Sequence, residues 1–119
     1  MDIVGDMEII KMALFMGDLK DAMSKIDHTM EKMRRKYDIN HKEIFLFYQN
    51  LLQDLRDVLE GKKDPFSLRE ILQDSRMKPF NTEMDMKVYA DSTVFFINYC
   101  IDRYNVSYPR YDSKRCNDL

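Results

Sequence analysis

The sequence predicts an all-α fold: an elongated four-helix bundle of three long helices and one short one, followed by a flexible C-terminal tail. Three observations carry that expectation. Apolar residues recur at alternating spacings of three and four from 9 to 37, namely Ile9, Met12, Met16, Leu19, Met23, Ile26, Met30, Met33 and Tyr37, as they do along one buried helical seam. Two later stretches, 41 to 60 and 82 to 104, repeat the helical period with broader apolar faces. Start and stop signals fall between them, with Asn40 and Asn81-Thr82 at helix starts and Gly61 at a helix end.

The first element is the longest. About 30 helical residues at roughly 1.5 Å each span about 45 Å, whereas a 119-residue domain has an expected radius of gyration of roughly 13 to 14 Å. Such a helix must lie along an elongated bundle, project into a partner, or break. Gly17-Asp18 is the one plausible break, because Gly weakens a helix interior and Asp is a good N-cap. The heptad phase nevertheless runs through Gly17 without a stutter, so a continuous helix is expected.

Five of the nine seam residues are Met. This unbranched, polarizable side chain fills irregular cores and also serves adaptable docking surfaces. Phe15, Ala22 and Thr29 widen the apolar face on one side, while Ala13, Lys20, Asp27 and Arg34 on the other show no consistent charge. That flank fits a bundle helix better than a two-stranded zipper. Met12, Met16, Met23, Met30, Met33 and Tyr37 are the candidate partner-binding residues.

The second helix, from His41 to Glu60, places Ile44, Tyr48, Leu51, Leu55 and Val58 on one stripe and Phe45, Leu52 and Leu59 beside it. Gly61 followed by Lys62-Lys63 ends it, with cations at the negative end of the helix dipole. Asp64-Pro65 restarts the chain, and Ser67 with Glu70 forms a candidate capping box for a short helix to about Ser75. After Pro79, a final helix carries Val88, Tyr89, Phe95, Phe96, Tyr99 and Cys100 to about Tyr104. One domain is expected over 1–105, with 106–119 as a tail in which tyrosines alternate with arginines.

Composition narrows the function classes. The chain is 45% hydrophobic and 34% charged, with 19 basic and 21 acidic residues and a net charge of −2, so no global field draws it to nucleic acid or an anionic membrane. Its longest wholly apolar run, Met12 to Met16, falls far short of the roughly 20 residues that span a bilayer. The acidic start Met1-Asp2-Ile3-Val4-Gly5-Asp6 is unlike a basic secretory signal, and a cytoplasmic location is expected. Cys100 and Cys116 have neither a C-x-x-C spacing nor a neighbouring His, as expected of reduced structural thiols.

Catalytic patterns are sparse. Two histidines, His28 and His41, do not supply the paired Glu-x-x-His motifs of a di-iron bundle, and no Gly-rich phosphate loop is present. No catalytic residue, metal site or cofactor is expected. The basic run Lys32, Arg34, Arg35 and Lys36, with Arg110, Tyr111 and Arg115 of the tail, is a candidate nucleic-acid contact. The same cations also suit the C-terminal end of a helix.

Arg35 and His41, with five residues between them, resemble the short arginine-histidine motif of the helical HEPN ribonucleases. The resemblance implies a dimer pairing two such motifs over a scissile phosphate. The residue after the arginine is Lys36, where that family usually carries a small polar residue. The reading that weighs most of the sequence is a non-enzymatic protein–protein interaction module, an adaptor, inhibitor or assembly subunit that self-associates through the Met-rich helix. Nucleic-acid binding and HEPN-like RNA cleavage rank below it.

Overall fold

A computed structural model describes residues 3–35, 42–65, 68 and 83–103. Among them are four helices and no strand: α1 (Ile3–Phe15), α2 (Leu19–Arg35), α3 (Lys42–Leu59) and α4 (Glu83–Arg103). The all-α bundle is therefore present, but the expected continuous first helix is two helices. The chain reverses at Gly17, whose φ of 77° is left-handed and is easily adopted only without a side chain.

The reversal is built from two caps in series. Gly17 N donates to Leu14 O at 3.0 Å and Asp18 N to Ala13 O at 3.3 Å, the paired bonds of a Schellman motif that satisfies the last carbonyls of α1. Asp18 then accepts from Asp21 N on its Oδ1 at 2.9 Å, capping α2. The same paired bonds end α3, where Gly61 has a φ of 79°. There Gly61 N bonds Val58 O at 3.0 Å and Lys62 N bonds Asp57 O at 2.8 Å.

Contacts between helices form a ring: α1 packs on α2 and α4, and α3 packs on α2 and α4. Residue pairs give the directions. Asp6 meets Lys32 across α1 and α2, and Arg56 and Gln49 of α3 meet Asp27 and the Met30 carbonyl of α2, so both neighbouring pairs run antiparallel. Tyr89, early in α4, packs edge to face on Phe47 and Tyr48, early in α3, with centroids 5.9 and 5.5 Å apart. Lys11 of α1 lies over Phe95 of α4, and Leu14 and Phe15 face Asn98 to Asp102. Hence α4 runs parallel to both α1 and α3, so α3 ends and α4 begins at opposite ends of the bundle. A single long crossover is an established variant of the four-helix bundle.

The core joins Met7, Ile10 and Leu14 of α1, Ala22, Ile26, Met30 and Met33 of α2, Tyr48, Leu51, Leu52, Leu55 and Val58 of α3, and Tyr89, Phe96, Ile97 and Cys100 of α4. Leu68, in the crossover, is helical and fully buried. The rest of the expected short helix and the expected tail lie outside the described residues. The Cα radius of gyration is 13.9 Å and the principal extents are 41 × 33 × 22 Å, and the hairpin at Gly17 is what brings the first 35 residues within that body.

Candidate interaction surface

Helix α1 carries apolar residues around its whole circumference, and only one side of it meets the bundle. Ile3, Met7, Ile10 and Leu14, spaced four, three and four, pack inward. The opposite register faces out, with Ile9 50%, Met12 61%, Phe15 77% and Met16 72% exposed. Val4 extends this face toward the start of the helix. A helix apolar on all sides normally has partners on all sides, and among the described residues nothing covers this one.

At side-chain areas of roughly 150 to 250 Å² for large residues, the five exposed side chains present about 500 Å² of apolar surface. One charge stands within it: Glu8, 65% exposed at its side chain and one turn before Met12, has its Oε1 3.1 Å from Lys11 Nζ, and Lys11 Nζ lies 6.0 Å from the Phe95 centroid. Toward the end of α1 the face runs into a groove of about 340 Å³ between α1 and α4, lined by Leu14, Phe15, Phe95, Asn98, Tyr99 and Asp102.

The expected Met seam is thus divided. Met12 and Met16 are on the exposed face, Met23 is half-buried against the core, and Met30 and Met33 are core residues. Met30 and Met33 are 7% and 1% exposed within the core of this chain, so as folded they present almost no side chain to a partner. Tyr37 lies outside the described residues. Val4 and the α1/α4 groove were not singled out by periodicity; the signal for them is the apolar character of α1 on both faces.

Among the basic candidates, each described cation has a carboxylate beside it. Lys32 Nζ is 3.1 Å from Asp6, and Arg35 Nε and Arg34 Nη1 are 3.2 and 3.8 Å from Glu31. His28, Glu31, Lys32 and Arg35 line a hollow of about 300 Å³, so the side chains converge with mixed sign. Lys36, His41, Arg110, Tyr111 and Arg115 lie outside the described residues, and the Arg35–His41 pair has no described geometry.

No family model, curated protein or solved structure matches this chain.

Other reactive groups are held in structural settings. Burial pushes the Cys100 thiol up to about 12, against a smaller opposing effect of Arg103, which leaves it almost wholly protonated and a poor nucleophile. The Arg56 guanidinium is raised above its usual value, chiefly by its hydrogen bond to Asp27 at 2.6 Å. Among the described residues no group of three or more His, Cys, Asp or Glu could hold a metal ion, and no helix is long and apolar enough to cross a membrane.

Proposed function

We propose that this chain is a non-enzymatic protein–protein interaction module that self-associates through the outer face of α1. The observation that carries the reading is the second apolar register of that helix. Ile9, Met12 and Met16, with Phe15 alongside, form a stripe as regular as the one that packs inward, yet they remain 50% to 77% exposed. Large exposed apolar patches on otherwise polar proteins mark contact sites, and two Met side chains at the centre allow the face to repack against its partner.

A second copy is the occupant that fits best. Two α1 helices related by a two-fold axis near Met12 would bury this face on both sides in an isologous contact. About 500 Å² per copy, or about 1,000 Å² in total, lies at the low end of specific interfaces. The expected association is accordingly reversible and concentration-dependent.

The test is light scattering coupled to size-exclusion chromatography over a dilution series of the wild type and of Met12→Glu. The proposal expects a dimer that dissociates on dilution and is absent in the variant. A chain that is monomeric at every concentration, or a dimer that Met12→Glu leaves intact, overturns it. Nucleic-acid binding ranks below this reading because Lys32, Arg34 and Arg35 are already opposed by Asp6 and Glu31, which lowers the local positive potential that phosphate contacts need.

A further inference from the structure

We infer that the two copies join through α1 helices lying antiparallel, with Met16 of each seated over Gly5 of the other. This rests on the self-association proposed above and adds its orientation, its register and the residue that selects both.

The outward stripe of α1 matches its own inverse. At roughly 100° per residue, Gly5, Ile9, Met12 and Met16 share the side of the helix opposite the core register of Ile3, Met7, Ile10 and Leu14. Met16 keeps this phase because its N donates to Met12 O at 2.9 Å, one helical bond beyond Phe15. The spacings of four, three and four read the same from either end. A two-fold axis crossing midway between Ile9 and Met12 therefore sets Ile9 level with Met12 of the second copy, and Gly5 level with Met16. Helices in contact keep their axes roughly 8 to 10 Å apart, and a long, flexible Met over a Gly fills that space alike at both ends. A parallel pair instead sets Gly5 on Gly5 and Met16 on Met16, empty at one end and crowded at the other.

Area favours this register over its neighbours. At about 500 Å² per copy, full overlap gives about 1,000 Å² in total, the least that a specific contact needs. The exposed apolar side chains run from Val4 to Met16, and centring between Ile9 and Met12 overlaps all of that stretch except its first residue. A slip of one turn, pairing Ile9 with Met16, leaves Val4 and Gly5 uncovered.

The charges around the face fit the same arrangement. They are Glu8 within it, Lys11 on the flank toward α4, Asp6 on the flank toward α2, Asp18 and Lys20 past Met16, and Asp102 with Arg103 at the end of α4. A two-fold axis across the helices keeps both α4 flanks on one side. Glu8 of each copy then stands about 3 Å along the axis from the level of Lys11 of the other, which adds a carboxylate–ammonium approach across the contact. Asp6 is already held by Lys32 at 3.1 Å, and the four charges at the ends are two of each sign. Opposite ends of the two helix dipoles also face each other.

The experiment uses the full chain with Cys100→Ala and Cys116→Ser, which removes both native thiols, and adds either Gly5→Cys or Met16→Cys. In the antiparallel register, two copies of either position lie about 16 Å apart along the axis, beyond the roughly 7 Å that a disulfide spans between Cα atoms. Under mild oxidation an equimolar mixture of the two variants is expected to give about tenfold more covalent dimer than either alone. Disulfide from either variant alone with no gain on mixing overturns the inference, and so does no disulfide from a mixture that light scattering shows to be dimeric. Because a cysteine in the contact can weaken it, Gly5→Leu in the otherwise native chain gives a second reading. Filling the space over Gly5 is expected to raise the dimer dissociation constant about tenfold with the helical circular dichroism spectrum kept, and adding Met16→Ala is expected to return part of the loss. An unchanged dissociation constant in Gly5→Leu overturns the inference. A wild type that is monomeric at every concentration removes self-association itself, whereas a dimer cross-linked through Met16→Cys alone removes only this arrangement of it.

Discussion

The Lys32 ammonium sits 3.1 Å from the Asp6 carboxylate, 26 positions earlier in the chain, and joins the start of α1 to the end of α2 at the open end of their hairpin. Asp6 is only 13% exposed at its side chain, so this pair is better shielded than the surface pairs of α2. It stands in the same rotation of α1 that turns Met7 and Ile10 inward.

Asp6→Asn is expected to cost about 1 kcal/mol, seen as a fall in Tm of about 4 °C. Chemical denaturation of the single and double variants with Lys32→Met measures the coupling directly. A coupling energy near zero would show that packing of Met7 and Ile10 alone orients the helix.

The hairpin itself depends on Gly17. A Cβ built there meets no atom within 4 Å, so Gly17→Ala has no clash to relieve and its cost is the left-handed backbone alone, about 1 to 2 kcal/mol. Gly17→Asn is expected to lose less, because Asn tolerates that conformation. Asp18→Ala, which removes the acceptor for Asp21 N, is expected to lose about 1 kcal/mol. Equal losses for Ala and Asn at position 17 would contradict this account of the turn.

Burial separates the methionines. Met33 is 1% exposed and Met30 7%, so a Glu at either buries an unpaired carboxylate and is expected to unfold the chain. Met12→Glu and Met16→Glu, on exposed positions, are expected to leave the circular dichroism spectrum unchanged and the unfolding free energy within about 0.5 kcal/mol of wild type in samples dilute enough to be monomeric. A loss of several degrees in Tm at Met12→Glu, measured where the wild type is also monomeric so that loss of the dimer does not contribute, would place that side chain in the core after all.

Cys100 makes stability sensitive to alkali. Its thiol is pushed up to about 12 in the folded protein from an ordinary value near 9, so the unfolded chain gives up its proton first. The contribution is complete below about pH 9 and is lost progressively as pH rises toward 12. Urea titrations at pH 8 and above are expected to show a steeper alkaline loss in wild type than in Cys100→Ala. Parallel slopes in the two proteins would remove the thiol as the cause.

Periodicity and caps made much of this fold legible. Helix α3 was expected over 41 to 60 and spans Lys42–Leu59, and α4 was expected over 82 to 104 and spans Glu83–Arg103, because cap-type residues bracket both. The first 35 residues misled for a definite reason. Helix α1 holds two apolar registers, Ile3, Met7, Ile10 and Leu14 against Ile9, Met12 and Met16, and only the second continues in phase through the turn into α2. A heptad count follows the longer register, whereas the Gly17-Asp18 cap pair marks where it is interrupted. For the same reason the candidate site was half legible: spacing identifies Met12, Met16, Met30 and Met33 alike, and only tertiary packing decides which of them the protein turns outward.

The central claim is that the outer face of α1 binds a second copy. Its most direct test is the set of ε-methyl signals of the ten methionines, recorded by NMR from a concentrated sample down a dilution series. The account predicts that Met12 and Met16 shift and sharpen together as the dimer dissociates, while Met7 and Met33, both buried in the core, stay fixed. Signals that are independent of concentration, or a dilution response confined to methionines outside α1, would contradict it.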